Sequence, residues 1–510
     1  MFHSVNIRRT DTMINLMKYL SGNIRQEISY HVAAARRALE DRRFSFYMLF
    51  SVLLAFFVAA HVPLSQPVND PFQEGEYSAL GIFDSHSPNF PRQLLIHGGM
   101  DIVPAKIAAL IFDQKTQIVF IRLINQSIQF ISTILYLLVA IIAVKFNHRK
   151  SYLTLISAFC TVLLLNGRTV SVLDAQQGAP SVRDFFVLIG VAQIFYICYR
   201  EYIRPAKSMI LPLIILGFAC GLGMFWCYNR GLALFVCAGL FTSGYCALRR
   251  SVRPAASVAG GFIGAAILVS FLSGRFHIIP ETLGNIHYWS ENQVVWKAPI
   301  YIRDWLPFFA LISTSGCVIV FNSKFLLKIE FRMLFLLLLS ICSLVSMYVL
   351  ESINRPDVWN IRWCVWPATL IFLISIAISQ RAGDISDGPG PLSSALSVSL
   401  LVAISCICIS PYSFPGTLQT IFGGLSDNMR LLSKPVPSDL ALVGADRARV
   451  AALIAANGGC TFAANDDAII YLVSRTPPCS RFSLGDYIAP IAQASVIEEL
   501  KASSPPCDCI

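Results

Sequence analysis

Apolar residues in this chain come in long unbroken runs separated by short polar joints, with little of the strict alternation that marks half-buried strands. Runs at about 44–62, 118–144, 151–165, 184–198, 208–226, 231–247, 255–273, 301–321, 333–350, 361–379 and 393–410 are long enough, or nearly so, to cross a bilayer as helices. Eleven crossings, plus or minus one, are therefore expected. The joints fall into two alternating sets. One carries Lys145, Arg149 and Lys150, then Arg200, Arg204 and Lys207, then Arg249, Arg250 and Arg253, then Lys324, Lys328 and Arg332, and finally Arg381. Basic joints mark the cytoplasmic side of a membrane protein. The other set, at about 63–117, 166–183, 227–230, 274–300 and 351–360, is longer and richer in polar chemistry, and it is expected outside. Within the first external loop, residues 94–112 are apolar but contain His97, Asp101, Pro104 and Lys106. A crossing there would reverse the side of every later basic joint, so this stretch is read as a helix lying along the membrane surface.

Composition agrees with this pattern and removes some alternatives. Hydrophobic residues make up 55% of the chain and charged residues 14%, and mean hydropathy is +0.61. That is the balance of a polytopic membrane protein. The net charge of +10 is spread over the joints, with no motif of a nucleic-acid-binding fold, so no nucleic-acid partner is expected. Residues 1–43 hold an Arg-rich amphipathic tail (Arg25, Arg36, Arg37, Arg42, Arg43) without a cleavage site, read as cytoplasmic. Residues 44–411 form the membrane module. After an odd number of crossings, residues 412–510 emerge outside, and there the pattern changes. Residues 468–473 alternate as a strand would, Ala451 to Ala456 and Ile497 to Ala502 read as helices, and a small α/β extracytoplasmic domain is expected. Residues 381–391 are read as a cytoplasmic Gly/Pro turn. Of fifteen cysteines, most lie inside apolar runs, whereas Cys460, Cys479, Cys507 and Cys509 lie in the polar C-terminal region. An even number in an oxidising compartment suits one or two disulfides, with Cys460–Cys479 the expected bridge.

Candidate chemistry gathers on the outer face. The segment Asn69 to Glu76 places Asp70, Glu74 and Glu76 just beyond the first span, where Pro67 and Pro71 break any helix leaving the membrane. Further polar residues at outer span ends are His97, Asp101, Arg168, Arg183, Asp184, Arg230, His287, Glu291, Arg355, Asp357 and Asn360. Arginines at separate helix ends on one face suit a phosphate, which guanidinium grips with two parallel hydrogen bonds. Carboxylates facing them suit proton abstraction. The plainer readings stand beside these. Arg183 and Asp184 would also fit a local ion pair at a helix start, and Glu291, between Trp289 and Trp296, would fit an interfacial anchor.

These residues together resemble the GT-C superfamily of polytopic glycosyltransferases. The first-loop pattern Asp70 to Gly75-Glu76, the later His97-Gly98-Gly99-Met100-Asp101, and the tight joints Asn229-Arg230-Gly231 and Arg355-Pro356-Asp357 are similar to motifs of bacterial members. Gln73 and Asn360 stand where that pattern would carry His. The resemblance implies a bacterial plasma-membrane enzyme with a GT-C-like helical fold. It implies transfer of a hexosyl or pentosyl group from a polyprenyl-phosphate-linked donor to a hydroxyl of a glycan, lipid or protein acceptor, with inversion. In that chemistry Asp70 is the expected base and Glu76 its companion. Glu74, His97 and Asp101 line the acceptor pocket, and Arg230, Arg355, Asp357 and Arg168 hold the donor phosphate. No metal ligand set is expected and no cofactor beyond the lipid-linked donor, although a divalent cation is left open.

Two other classes remain on the sequence alone. A transporter or flippase of lipid-linked glycans would place ionisable residues mid-span, for which Arg122 and Asn125 are the main candidates. An O-antigen type polymerase or ligase would carry its long polar loop late in the chain rather than first. The topology makes a direct prediction: alkaline phosphatase fused after residue 430 is active in a bacterial host, and a fusion active only with a cytoplasmic reporter at that position would reverse the sidedness of every candidate residue.

Overall fold

The structure is a computed structural model that describes residues 29, 42–60, 63–68, 74–75, 98–113, 115–145, 180–203, 209–272, 282–284, 286–287, 302–326, 328, 331–354, 358–386, 414–457, 461–462, 469–476 and 508–509. Its helices are α1 (Arg42–Ala59), α2 (Val103–Ile111), α3 (Gln117–Lys145), α4 (Phe185–Ile203), α5 (Ile210–Trp226), α6 (Tyr228–Arg249), α7 (Arg253–Leu272), α8 (Ile302–Phe321), α9 (Arg332–Asn354) and α10 (Val358–Ser386), followed by α11 (Phe414–Leu431), α12 (Asp439–Val443), α13 (Ala445–Asn457) and α14 (Ile469–Ser474). Among the described residues, six of these are long and apolar enough to cross a membrane: those spanning Gln117–Ala143, Val182–Ile203, Tyr228–Arg249, Arg253–Leu272, Arg332–Ile353 and Trp363–Ala382. Three shorter apolar helices, Ser45–Ala59, Ile210–Trp226 and Phe308–Phe321, join them. The expected spans at 151–165 and 393–410, and the expected disulfide cysteines Cys460, Cys479 and Cys507, lie outside the described residues.

Helix α10 is the centre of the bundle, with α3, α8 and α9 packed around it. Its buried Trp366 meets Tyr136 of α3 and Tyr348 of α9 edge to face, with ring centroids 6.0 and 5.6 Å apart. Such aromatic pairs contribute direction as well as buried area. Helix α7 lies at the periphery and keeps one face on α5 while Ile263, Ile267 and Phe271 stay exposed to the surroundings. The α5–α7 contact is backbone against backbone. A Cβ on Gly217 would meet the carbonyl of Val258, one on Gly261 would meet the carbonyl of Ile214, and one on Gly221 would stand 2.6 Å from the Cβ of Ala265. Small residues at such positions let two membrane helices approach closely, where packing replaces the missing hydrophobic drive.

Helix α2 has nine residues, about 14 Å at 1.5 Å per residue and less than half of a ~30 Å hydrocarbon core. Pro104, Ala105 and Ala108 face inward on α3 while Leu110 and Ile111 point outward. Helix α3, by contrast, has 29 residues, or about 44 Å, so it outruns such a core by about 14 Å.

Three local expectations are corrected. Residues 469–474 form helix, not strand: Ile469, Ile470, Tyr471 and Leu472 are all buried, in one core with Ala451 and Ile454 of α13. A contiguous apolar run buried on several sides is equally open to a short helix, and period 2 does not distinguish the two. The only strand pairing among the described residues is parallel and two residues long, Thr461–Phe462 with Asp508–Cys509, so the described C-terminal region is mainly helical. Residues 381–386 continue α10 instead of opening a turn.

The α5–α7 contact carries a prediction. Gly217→Leu or Gly261→Val forces the helices apart and costs about 1–3 kcal/mol, the usual range for overpacking, whereas Gly260→Ala, at a position with nothing within 4 Å, is near neutral. Thermal unfolding midpoints of the purified variants check it.

Candidate functional site

Four segments far apart in sequence meet at one end of the bundle, where α4 starts, α5 gives way to α6, and α9 ends. The first is Gly98 to Asp101. Gly98 has φ of +121°, and a Cβ there would lie 2.7 Å from the carbonyl oxygen of Phe225, 3.0 Å from that of Trp226 and 3.1 Å from the Tyr228 ring. Only glycine tolerates both the dihedral and the approach. The motif therefore lies against the α5–α6 joint, with Gly99–Asp101 coiled as one 3-10 turn and Met100 buried against Val182, Trp226 and Cys227.

The second segment starts α4. Ser181 and Asp184 form a capping box: the Ser181 hydroxyl accepts from the Arg183 amide at 3.2 Å, and Asp184 accepts from the Ser181 amide at 2.9 Å. This reciprocal pair satisfies amide groups that a helix start would otherwise leave open. The third is the joint itself, a single extended residue, Cys227, at φ −151° and ψ 103°. It turns the chain so that Trp226 donates its indole N–H to the Val182 carbonyl at 2.8 Å and Arg230 faces inward. The fourth is the end of α9 with the first turns of α10, which supply Tyr348, Glu351 and Trp363.

Arg230 is the meeting point. Its side chain is 1% exposed, its Nη1 lies 3.0 Å from Glu351 Oε2, and its Nε lies 3.7 Å from Asp184 Oδ1. The guanidinium stacks on Tyr348 at 4.1 Å and on Trp363 at 4.4 Å, and Arg183 approaches the same Trp363 ring at 5.0 Å. Tyr348 donates its hydroxyl to Asp184 at 2.6 Å. Two arginines and two carboxylates thus balance one another. The charge of Arg230 is met, yet among the described residues none of its N–H groups makes a well-aligned hydrogen bond. That leaves a buried guanidinium with donor capacity in hand.

Beside this cluster run two contrasting walls. Helix α3 reaches it through Ile128, which packs on the Met100 and Trp226 group. One turn to either side on the same face are Asn125 and Ser132, both buried, with Asn125 Oδ1 and Ser132 Oγ lacking a hydrogen-bond partner among the described residues. Polar atoms buried without partners cost stability and mark places built for something more than packing. Phe225, next to Trp226 in the chain, lines an open apolar cavity of about 580 Å³ together with Met224, Phe262, Ala266, Phe271 and Ile286.

Of the residues singled out in the sequence, Arg230 is in the cluster, and Asp101 closes the adjoining 3-10 turn. Arg183 and Asp184 are in it too, with the Asp184 carboxylate directed to Ser181, Tyr348 and Arg230. Glu74 is buried elsewhere, accepting from Arg122 Nε at 2.6 Å. Asp70, Glu76, His97, Arg168, Arg355, Asp357 and Glu291 lie outside the described residues. Sequence reasoning missed Tyr348, Glu351 and Trp363. The signal was present in Tyr348-Val349-Leu350-Glu351, an acid at the tip of an apolar run with an aromatic one turn before it, which is a site hypothesis by the ordinary rule for charges in membrane helices. Among the described residues no group of three His, Cys, Asp or Glu could hold a metal ion.

No family model and no curated protein matches the chain. Among solved structures, the chain is similar to the crystal structure of ArnT from Cupriavidus metallidurans bound to undecaprenyl phosphate, at 12% identity and a TM-score of 0.39, over 86% of this chain and 85% of that one.

The cluster predicts its own energetics. Arg230→Ala removes the cation that meets both Asp184 and Glu351 and costs about 3–5 kcal/mol, whereas Tyr348→Phe removes one buried hydrogen bond to Asp184 and costs about 1–3 kcal/mol. Denaturant unfolding of the purified variants distinguishes them.

Proposed function

We propose that the chain is a membrane glycosyltransferase of the GT-C type, with about eleven spans, a cytoplasmic N-terminus and an extracytoplasmic C-terminus. It moves a hexosyl or pentosyl group from a polyprenyl-phosphate donor to an acceptor hydroxyl on a glycan, lipid or protein, with inversion. The observation that carries this reading is the convergence of Gly98 to Asp101, Ser181 to Asp184, Trp226 to Arg230 and Tyr348 to Glu351 at one end of the bundle. Three of these contain residues that the motif resemblance or the outer-face pattern had singled out on other grounds. Arg230, whose N–H groups make no well-aligned hydrogen bond among the described residues, suits a phosphate oxygen, and the apolar cavity beside Phe225 suits the lipid chain that such a phosphate carries.

The chemistry is a single displacement. Asp70 takes the acceptor proton as the acceptor oxygen bonds to the anomeric carbon, the bond from that carbon to the phosphate oxygen breaks, and the electron pair leaves with the phosphate. Cationic groups stabilise the charge that develops there. Arg230 already answers two carboxylates, so the remaining positive charge must come from elsewhere; Arg168, and Arg355 just beyond the end of α9, are assigned to it, with Asp357 orienting Arg355. Glu76, His97 and Asp101 form the acceptor side, and Glu74 anchors the segment that carries the base. Of the two mid-span residues that a transporter would draw on, Arg122 is bound to Glu74 one turn from the start of α3.

An assay with membranes, a panel of polyprenyl-phosphate sugars and mass detection of the product tests the reading. Asp70→Asn keeps the shape but cannot accept a proton, so turnover falls about a hundredfold or more while donor binding survives; Arg355→Ala weakens donor binding as well, by about 1.5–3 kcal/mol. Near-normal turnover in Asp70→Asn with loss in Glu76→Gln would move the base to Glu76, and full activity in both would end the glycosyltransferase reading.

A further inference from the structure

We propose that Asp439 and Arg122 are positioning residues that clamp the acidic segment after the first span, which makes the C-terminal region a working part of the membrane module and not an appended domain. The consequence for turnover rests on the proposed function; the clamp itself does not.

The clamp has three sides. On the first, Asp439 caps a helix that lies more than three hundred residues earlier in the chain. Its Oδ1 accepts from the Ile118 amide at 2.8 Å and its Oδ2 from the Gln117 amide at 3.2 Å, while its own amide donates to the Lys115 carbonyl at 2.7 Å. The start of α3 thus borrows its N-cap from the C-terminal region. Arg475 closes this side, donating to Gln117 Oε1 at 2.7 Å and standing 3.6 Å from Asp439 Oδ2. Burial pushes the Asp439 carboxyl above its ordinary value, against the two amides and Arg475, and pushes the Arg475 guanidinium down, against Asp439 and Asp113. Asp439 is held out of water while Arg475 stays partly exposed.

On the second side, Arg122 sits one turn into α3 and 2% exposed. It donates from Nη1 to the carbonyls of Leu64 and Gln66 at 2.7 and 2.6 Å and from Nε to Glu74 at 2.6 Å. On the third, the C-terminal region grips the same stretch directly. Asn428 accepts from the Leu64 amide at 2.8 Å and donates to the Ala60 carbonyl at 2.9 Å, and the Val68 amide donates to the Leu442 carbonyl at 2.9 Å. A shared apolar core seals the joint, with Leu64, Val68 and Ile118 packed among Leu442, Val443, Ile454 and Tyr471.

The segment so held ends in chemistry. Val68 precedes Asp70 by two residues and Glu74 precedes Glu76 by two, so the residues fixed by the clamp bracket Asp70 in the chain and end two residues short of Glu76. Catalytic groups need placement to a fraction of an ångström, supplied by a supporting shell of side chains that are themselves locked. The fork of Arg122 fits that task because guanidinium can serve two carbonyls and a carboxylate at once, which an ammonium cannot do in the same geometry.

The test uses full-length protein purified in detergent and carrying Val68→Cys, with the labelling of the parent chain's fifteen native cysteines subtracted. Val68 is 6% exposed, so a polar maleimide reacts slowly with Cys at this site. Asp439→Ala is expected to raise that rate about tenfold or more by opening the joint, and Leu440→Ala, at an exposed neighbour, to leave it unchanged. If Asp439→Ala does not yield folded protein, Arg122→Lys, which keeps the charge but loses the fork, gives the same rise. An unchanged rate in both variants overturns the clamp. In the transfer assay, Asp439→Asn lowers turnover about tenfold with the donor KM within about twofold, and moves the acid limb of the pH profile because the surroundings of the base have changed. Faster labelling with unaltered turnover and pH profile overturns the positioning role and leaves glycosyl transfer standing. Absence of transfer by the wild-type chain from every donor instead removes the function, and the labelling arm still decides the clamp.

Discussion

A buried guanidinium is the constraint from which the organisation of this bundle follows. Arg230 is taken wholly out of water inside an apolar assembly, and a cation so placed is tolerable only with carboxylates and polarisable faces around it. Asp184 comes from the start of α4, Glu351 and Tyr348 from the end of α9, and Trp363 from α10. Satisfying one side chain therefore fixes the relative depth and rotation of four helices. The aromatic faces do what additional carboxylates would do less well: they lower the cost of desolvation without adding negative charge.

Close backbone approach is the second constraint, and glycine permits it. Gly98 and Gly99 lie on the carbonyls of Phe225 and Trp226, and a Cβ on Gly223 would touch Gly231 at 3.4 Å. These contacts bring a loop motif and a helix joint to the same place. The Gly-Gly of the first-loop motif is thus explained by space, and its neighbours are delivered to the edge of the Arg230 cluster.

The acidic segment is held by a different kind of force. Its described flanks, Leu64 to Val68 and Glu74, are held by backbone hydrogen bonds and one Arg122 fork beside the Asp439 cap at the start of α3. The C-terminal region docks on the start of α3 and on Leu64 and Val68 through the same joint.

Much of this was legible along the chain. The spans announce themselves because lipid demands unbroken apolar length, and the helices found over Gln117–Ala143, Arg253–Leu272 and Arg332–Ile353 fall on runs read from the pattern. Arg230 and Asp184 stood out because charge next to hydrocarbon needs a reason. What the chain could not disclose was partnership. Glu351 looked like the first residue of a loop, since a linear pattern ends a span where the acid begins, and only the packing of α6 against α9 shows that its carboxylate faces Arg230. Asp439 carried no mark along the chain, being the first residue of a five-residue helix capped by Ser438; in the fold its carboxylate caps α3, because apolar packing of Leu442 and Tyr471 on Leu64 and Ile118 carries it there. Local sequence sets which residues prefer a helix, a joint or the lipid, through forces that act within a few positions. Which buried charge meets which, and which helix end borrows a cap from elsewhere, depends on contacts between residues hundreds of positions apart, and those exist only once the chain has folded.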